Sequence, residues 1–134
     1  MCGVTELRRA VEKAKKLCGE GVENVVRARR GESLEVPDED WLARASELLS
    51  ALANPVRLGI LALLAQHDLP VCMLASVLGV EPSLMSHSLR VLKSRGLVAS
   101  YSIGRYRVYT LAHKELVEEL LRLLRSHLTK PGKR

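Results

Sequence analysis

Apolar residues return at helical spacing in several separate stretches of this chain, and the breaks between those stretches set out its elements. Over residues 4–29, Val4, Leu7, Val11, Ala14, Leu17, Val22, Val25 and Val26 recur near the period of an amphipathic helix. Gly19 and Gly21 interrupt the run, which predicts either one kinked helix or two short ones. The polar segment RGESLEVPDED (30–40) reads as a linker. Asp38 or Asp40 then offers an N-cap, with Glu39 near the positive end of the helix dipole. The helix that follows, roughly 40–53, is predicted to bury Trp41, Leu42, Ala45, Leu48, Leu49 and Leu52. Asn54-Pro55 ends it, because a residue before proline is pushed out of the α region. Pro55 fits the first turn of the next helix, VRLGILALLAQ, whose core candidates are Val56, Ile60, Leu61, Leu63 and Leu64.

The pattern is most informative over residues 71–111, which read VCMLASVLG, VEPSLMSHSLRVLKSRG and LVASYSIGRYRVYTL. Val71, Leu74, Ala75 and Leu78 form the inner face of a short helix, and Gly79 supplies a left-handed position after it. Pro82 suits the opening turn of a second helix. Met85, Leu89 and Leu92 fall at i, i+4, i+7 and point to the core, whereas Ser83, Ser86, His87 and Arg90 share a different, polar face. Leu97–Ser102 and Arg105–Leu111 then alternate as the arms of a β-hairpin, with Gly104 in its turn. A terminal helix over 112–128 carries Leu116, Val117, Leu120, Leu121, Leu123, Leu124 and Leu128 on more than one face, and KPGKR (130–134) is a basic tail. This is a mainly α chain with a small β-hairpin wing, a winged helix-turn-helix. Its predicted divisions are an N-terminal helical extension and linker (1–40), a winged core (41–111), and a C-terminal dimerisation helix with its tail (112–134).

Composition adds three constraints. The chain of 134 residues is 47% apolar with no Phe and one Trp, so one core of Leu, Val and Ala between helices is the expectation. No apolar run is long enough to cross a bilayer, and MCGVTELRRAVEK lacks a secretory core, which predicts a cytoplasmic protein without a membrane partner. Cys2, Cys18 and Cys72 are an odd count with no C-x-x-C pair, against both a disulfide framework and a zinc finger. The net charge of +6 is uneven: residues 1–40 carry −1 and residues 41–134 carry +7.

That charge changes the picture because of where it falls. From Pro82 to Thr110 there is no acidic residue, while Arg90, Lys93, Arg95, Arg105 and Arg107 lie inside the window. A helix-turn-helix followed by a basic hairpin can enter a DNA groove and hold the flanking phosphates. Ser83, Ser86, His87 and Arg90 are the base-reading candidates, Leu84 beside them can meet a thymine methyl, and Lys93, Arg105 and Arg107 are suited to the backbone or minor groove. The plainer readings are a solvated helix face and an edge hairpin with solubilising charge. No Ser-His-Asp or Cys-His spacing, phosphate loop or H-E-x-x-H motif recommends an enzyme.

The three segments ALANPVRLGILALL (51–64), LMSHSLRVLKSRGLV (84–98) and YSIGRYRVYTL (101–111) resemble, in order and spacing, the ArsR/SmtB family of winged-helix repressors. The resemblance implies a homodimer, joined through the helices at its two ends, that binds double-stranded DNA at a palindromic operator and represses transcription. It also implies that Ser83, Ser86, His87 and Arg90 carry base contacts and Arg105 and Arg107 wing contacts. The family's inducer sites transfer poorly. Where many members have Cys-x-Cys at the start of the first helix of the pair, this chain reads Pro70-Val71-Cys72. Cys72, with Cys18 or Cys2 of a partner chain, and His113, Glu115 and His127 on the last helix remain the metal candidates. No cofactor other than a metal ion is implied. On one helix His113 and His127 stand roughly 21 Å apart, so only a partner chain could unite them. Positions aligned with the family's last-helix site are His113, Glu115, Ser126 and Thr129, which leaves His127 out of phase. Release by a metal, arsenic or thiol-oxidising signal stays open, and so does an architectural or protein-docking winged helix that binds DNA without sequence preference.

Overall fold

The computed structural model describes residues 3–26 and 31–129; Cys2 and the basic tail at 130–134 lie outside these. The chain divides into two units, Met1–Glu47 and Leu48–Arg134. In the first, strand β1 (Gly3–Glu6) leads into helix α1 (Leu7–Cys18), a short helix α2 (Val22–Val25) follows, and strand β2 (Ser33–Val36) returns antiparallel to β1, pairing Gly3 with Val36 and Glu6 with Ser33. Of the two patterns left open for this segment, the break at Gly19 and Gly21 makes two helices, but Val4, read as part of the helical run, lies in β1, where pairing with Glu35 makes it strand. Lys15 of α1 reaches Glu23 of α2 at 3.4 Å and pairs within its own helix with Glu12 at 2.9 Å; its ammonium is held above its ordinary value chiefly by the Glu12 hydrogen bond.

Strand β2 corrects the reading of 30–40 as a linker. Between Gly31 and Pro37 only the four residues Ser33–Val36 form the strand, and their alternation becomes one because β1, nearly thirty positions earlier, supplies the backbone partners. Helix α3 (Glu39–Leu52) begins where Asp38 accepts a hydrogen bond from the Trp41 amide at 3.2 Å, so Asp38 and not Asp40 is the cap.

In the second unit, the end of α3 is followed by α4 (Pro55–Leu64), β3 (Leu69–Pro70), α5 (Val71–Leu78), α6 (Pro82–Ser94), β4 (Val98–Ile103), β5 (Tyr106–Leu111) and α7 (Lys114–Leu128). The joint between α3 and α4 is satisfied from both sides. Asn54 Oδ1 accepts from the Arg57 amide at 3.1 Å, capping α4, and the Arg57 guanidinium turns back to the carbonyls of Ser50 and Ala51 at the end of α3. The core gathers Ile60, Leu61 and Leu64 of α4, Leu74 of α5, Met85, Leu89 and Leu92 of α6, and Val117 of α7. From α3 it takes Leu48 and Leu52. Trp41, Leu42 and Leu49, predicted to be buried, are exposed; Leu42 and Leu49 lie about 80° round the helix from Leu48 and Leu52, outside the arc that one packed surface covers.

The wing is larger than the hairpin expected. Two-residue β3 pairs with β5 through Leu69–Tyr109 and Pro70–Val108, giving a three-stranded antiparallel sheet in the order β3-β5-β4. A strand of two residues ending in proline has no alternation to read.

Helix α5 ends in a paired-carbonyl cap. Val80 N–H reaches the Ala75 carbonyl at 3.0 Å and Gly79 N–H the Ser76 carbonyl at 3.3 Å, with Gly79 left-handed at φ 62°. A Cβ on Gly79 would meet no atom within 4 Å, so the backbone conformation is the whole cost of a side chain there. Gly79→Ala should therefore lower stability by about 1–2 kcal/mol, and Gly79→Asn by less. Urea denaturation checks this; equal midpoints for Gly79→Ala and the parent chain would contradict it.

Candidate nucleic-acid interface

Helix α6 is oriented by its buried side. Met85, Ser88, Leu89 and Leu92 are at most 1% exposed. With 3.6 residues per turn their burial turns Ser83, Ser86, His87 and Arg90 to the surface, and all four are exposed. Leu84 is 46% exposed and stands outside the core cluster. Among the described residues Ser86, His87 and Arg90 have no hydrogen-bonding or ion-pair partner. Ser83 differs, since its hydroxyl donates to Glu81 at 2.5 Å. That carboxylate, at the entry to α6, borders the acid-free window and favours the helix N-terminus while opposing a nearby phosphate.

The wing turn is tight. Ile103 pairs with Tyr106, leaving Gly104 and Arg105 as the two central residues. Gly104 has φ 57° and Arg105 does not have a positive φ, the pattern of a type II′ hairpin turn. Arg105 therefore sits in the turn itself, its guanidinium carbon 5.4 Å from the centre of the Tyr106 ring, within cation–π range. Arg107 lies on the same side of the sheet as Ser100 and donates to its hydroxyl at 3.0 Å; Lys93, from the last turn of α6, donates to the same oxygen at 3.0 Å. The helix and the wing, which sequence reasoning treated separately, thus meet at Ser100.

The other side of the wing is anchored by Asp68, in the turn after α4. The Tyr101 hydroxyl donates to its carboxylate at 2.8 Å. A hydrogen bond from Thr110 is the larger influence, followed by that from Tyr101, and together with the charge of Lys114 they hold the carboxyl below its ordinary value of 3.8. The Tyr101 phenol is correspondingly raised by the same bond. Neither Asp68 nor Ser100 stood out in the sequence, because a lone acid in a turn and a serine in a strand carry no spacing signal.

The metal candidates do not converge. Among the described residues no three His, Cys, Asp or Glu side chains are placed to hold an ion. His113 and Glu115 border one shallow hollow at the start of α7, and His127 is in the last turn of that helix. Cys72 is exposed, in a second hollow with Pro70, Val71, Arg105, Tyr106 and Arg107. Cys18 is exposed in the first unit.

This architecture, a helix-turn-helix with a sheet wing, recurs in known proteins. Residues 54–100 match the model of the bacterial regulatory protein, arsR family. A transcriptional repressor SmtB homolog from Synechocystis is 39% identical over 94 residues, covering 70% of each chain. Reduced HlyU from Vibrio cholerae superimposes with a TM-score of 0.61 at 35% identity, covering 69% of this chain and 96% of its own. A homodimeric winged helix-turn-helix DNA-binding domain from Mycobacterium bovis, Mb0332, gives 0.61 at 28% identity, covering 73% and 94%. The chain belongs to the ArsR/SmtB family of winged helix-turn-helix transcriptional regulators. No single described helix is long and apolar enough to cross a membrane.

Asp68 gives this wing a pH signature. A carboxyl depressed on folding stabilises above its unfolded pKa and loses that contribution as pH falls through the folded value. Asp68→Asn should therefore melt below the parent chain at pH 7, and the gap should close as pH drops below about 4. A gap of constant size down to pH 2 would show that the Asp68 charge contributes nothing.

Proposed function

We propose that this chain is a homodimeric, sequence-specific DNA-binding repressor that acts in the cytoplasm on a palindromic operator and has no catalytic role. The observation that carries the reading is the outer face of α6. Ser86, His87 and Arg90 stand exposed, without partners among the described residues, on a helix whose opposite face is fully buried. Such groups match base edges in a major groove: serine and histidine for short polar contacts, arginine for guanine, and Leu84 for a thymine methyl. Ser83 joins them once its bond to Glu81 is exchanged for one to DNA, and Lys93, Arg105 and Arg107 hold the backbone.

Dimerisation is supported by α7. Its buried stripe holds Val117 and Leu121, while Leu116 and Leu123, seven apart, are 45% and 54% exposed on a second one. A second copy covers such a stripe with the symmetry that a palindrome requires. The homodimeric state of the M. bovis domain agrees with this. A releasing signal has two routes: ligands contributed jointly by two chains at His113, Glu115 and His127 or at Cys72 with Cys18, or oxidation of the exposed Cys72 thiol.

Selection of duplexes from a random DNA pool should recover a palindrome with half-sites about one helical turn apart. Recovery of no motif would instead favour an architectural or protein-docking role. On the recovered site, Arg90→Ala should cost about 1–3 kcal/mol and relax preference at one base step. Equal loss on every sequence would make Arg90 a phosphate contact.

A further inference from the structure

Ser100 holds together two cations that no ion pair neutralises among the described residues. Lys93 Nζ and Arg107 Nη1 are each 3.0 Å from its Oγ, which puts them no more than about 6 Å apart, inside the range over which like charges repel even in water. Ammonium and guanidinium groups only donate, so the hydroxyl accepts from both and its lone pairs are used. Its own hydrogen is left as a third donor beside the other two.

A carboxylate is the ordinary answer to such a pair, and none is present. Neither Lys93 nor Arg107 forms an ion pair among the described residues. No Asp or Glu lies between Pro82 and Thr110. Asp68 is bound to Tyr101, which alternates with Ser100 along β4 and so belongs to the opposite face of the sheet. Glu81 is engaged by Ser83 at the other end of α6, about 18 Å along the axis from Lys93.

We propose that Lys93, Ser100 and Arg107 form a single phosphate clamp, three donors that take one phosphodiester anion of the DNA backbone where the recognition helix meets the wing. The proposal rests on the DNA-binding reading above and adds Ser100 to the contacting residues. It also assigns Lys93 and Arg107 to the same phosphate. The anion replaces the missing carboxylate, and Ser100 fixes the spacing of the cations before DNA arrives, so little side-chain freedom is lost on binding.

The salt dependence of binding to one fixed 20-base-pair duplex tests this. Each phosphate neutralised contributes about 0.9 to the slope of log affinity against log salt. The Lys93→Ala/Arg107→Ala double variant should lose about one such unit, and each single variant less than that. Ser100→Ala should keep the slope but bind roughly three- to tenfold more weakly, on any sequence, with an unchanged melting midpoint. Arg107→Lys should restore most of the slope lost in Arg107→Ala. A loss of about two units in the double variant would place the cations on separate phosphates and overturn the clamp. Variants that keep both affinity and slope, while the parent chain binds, would overturn it as well. Absence of DNA binding by the parent chain would instead remove the reading on which it rests.

Discussion

Burial of Met85, Leu89 and Leu92 is the constraint on which the outward face of α6 depends. Each contributes on the order of 2 kcal/mol by leaving water, and together they hold α6 in one rotation about its axis. A helix free to roll would present no fixed pattern of donors. The supporting surface comes from Leu61 and Leu64 of α4 and Leu74 of α5, so the helix that carries the chemistry is placed by helices that carry none. The Schellman turn at Gly79 and the proline at the start of α6 set the angle between the pair without demanding a side-chain cap.

The wing obeys a second constraint, the two-residue period of a strand. Because Ser100 and Arg107 share one face of the sheet and Tyr101 and Thr110 the other, the sheet separates charge by sign. The acid face, with Asp68, ties the wing to the turn after α4. The cationic face, with Arg107, is joined through Ser100 to Lys93 at the end of α6. Attachment and the proposed DNA contact therefore fall on opposite sides of the same six-residue strands, and the anchoring carboxylate does not cancel the charge on the cationic side.

Much of this was legible in advance. The helix pair, its inward and outward faces, the hairpin, the capped entry to α3 and the proline start of α4 follow from spacings within ten or so residues, where periodicity and proline geometry act directly. The elements missed were those whose partners are remote. Strand β2 looked like a polar linker because its pairing strand lies at the opposite end of its unit. Strand β3 is too short to show a pattern. Leu42 and Leu49 matched a buried stripe in spacing, yet the core takes only one arc of α3.

The fold class and the outward residues of α6 follow from local periodicity alone, because helical and strand periods fix which side chains share a face. The sequence by itself also determined the acid-free run of cations, which is a matter of composition. Tertiary structure decided the rest: that Ser83 is engaged by Glu81, that Asp68 anchors the wing, and that Lys93 and Arg107 meet at one hydroxyl. It decided too that the His and Cys candidates remain apart among the described residues. Those outcomes depend on distances between elements, which are set by how the core packs and which no spacing along the chain encodes.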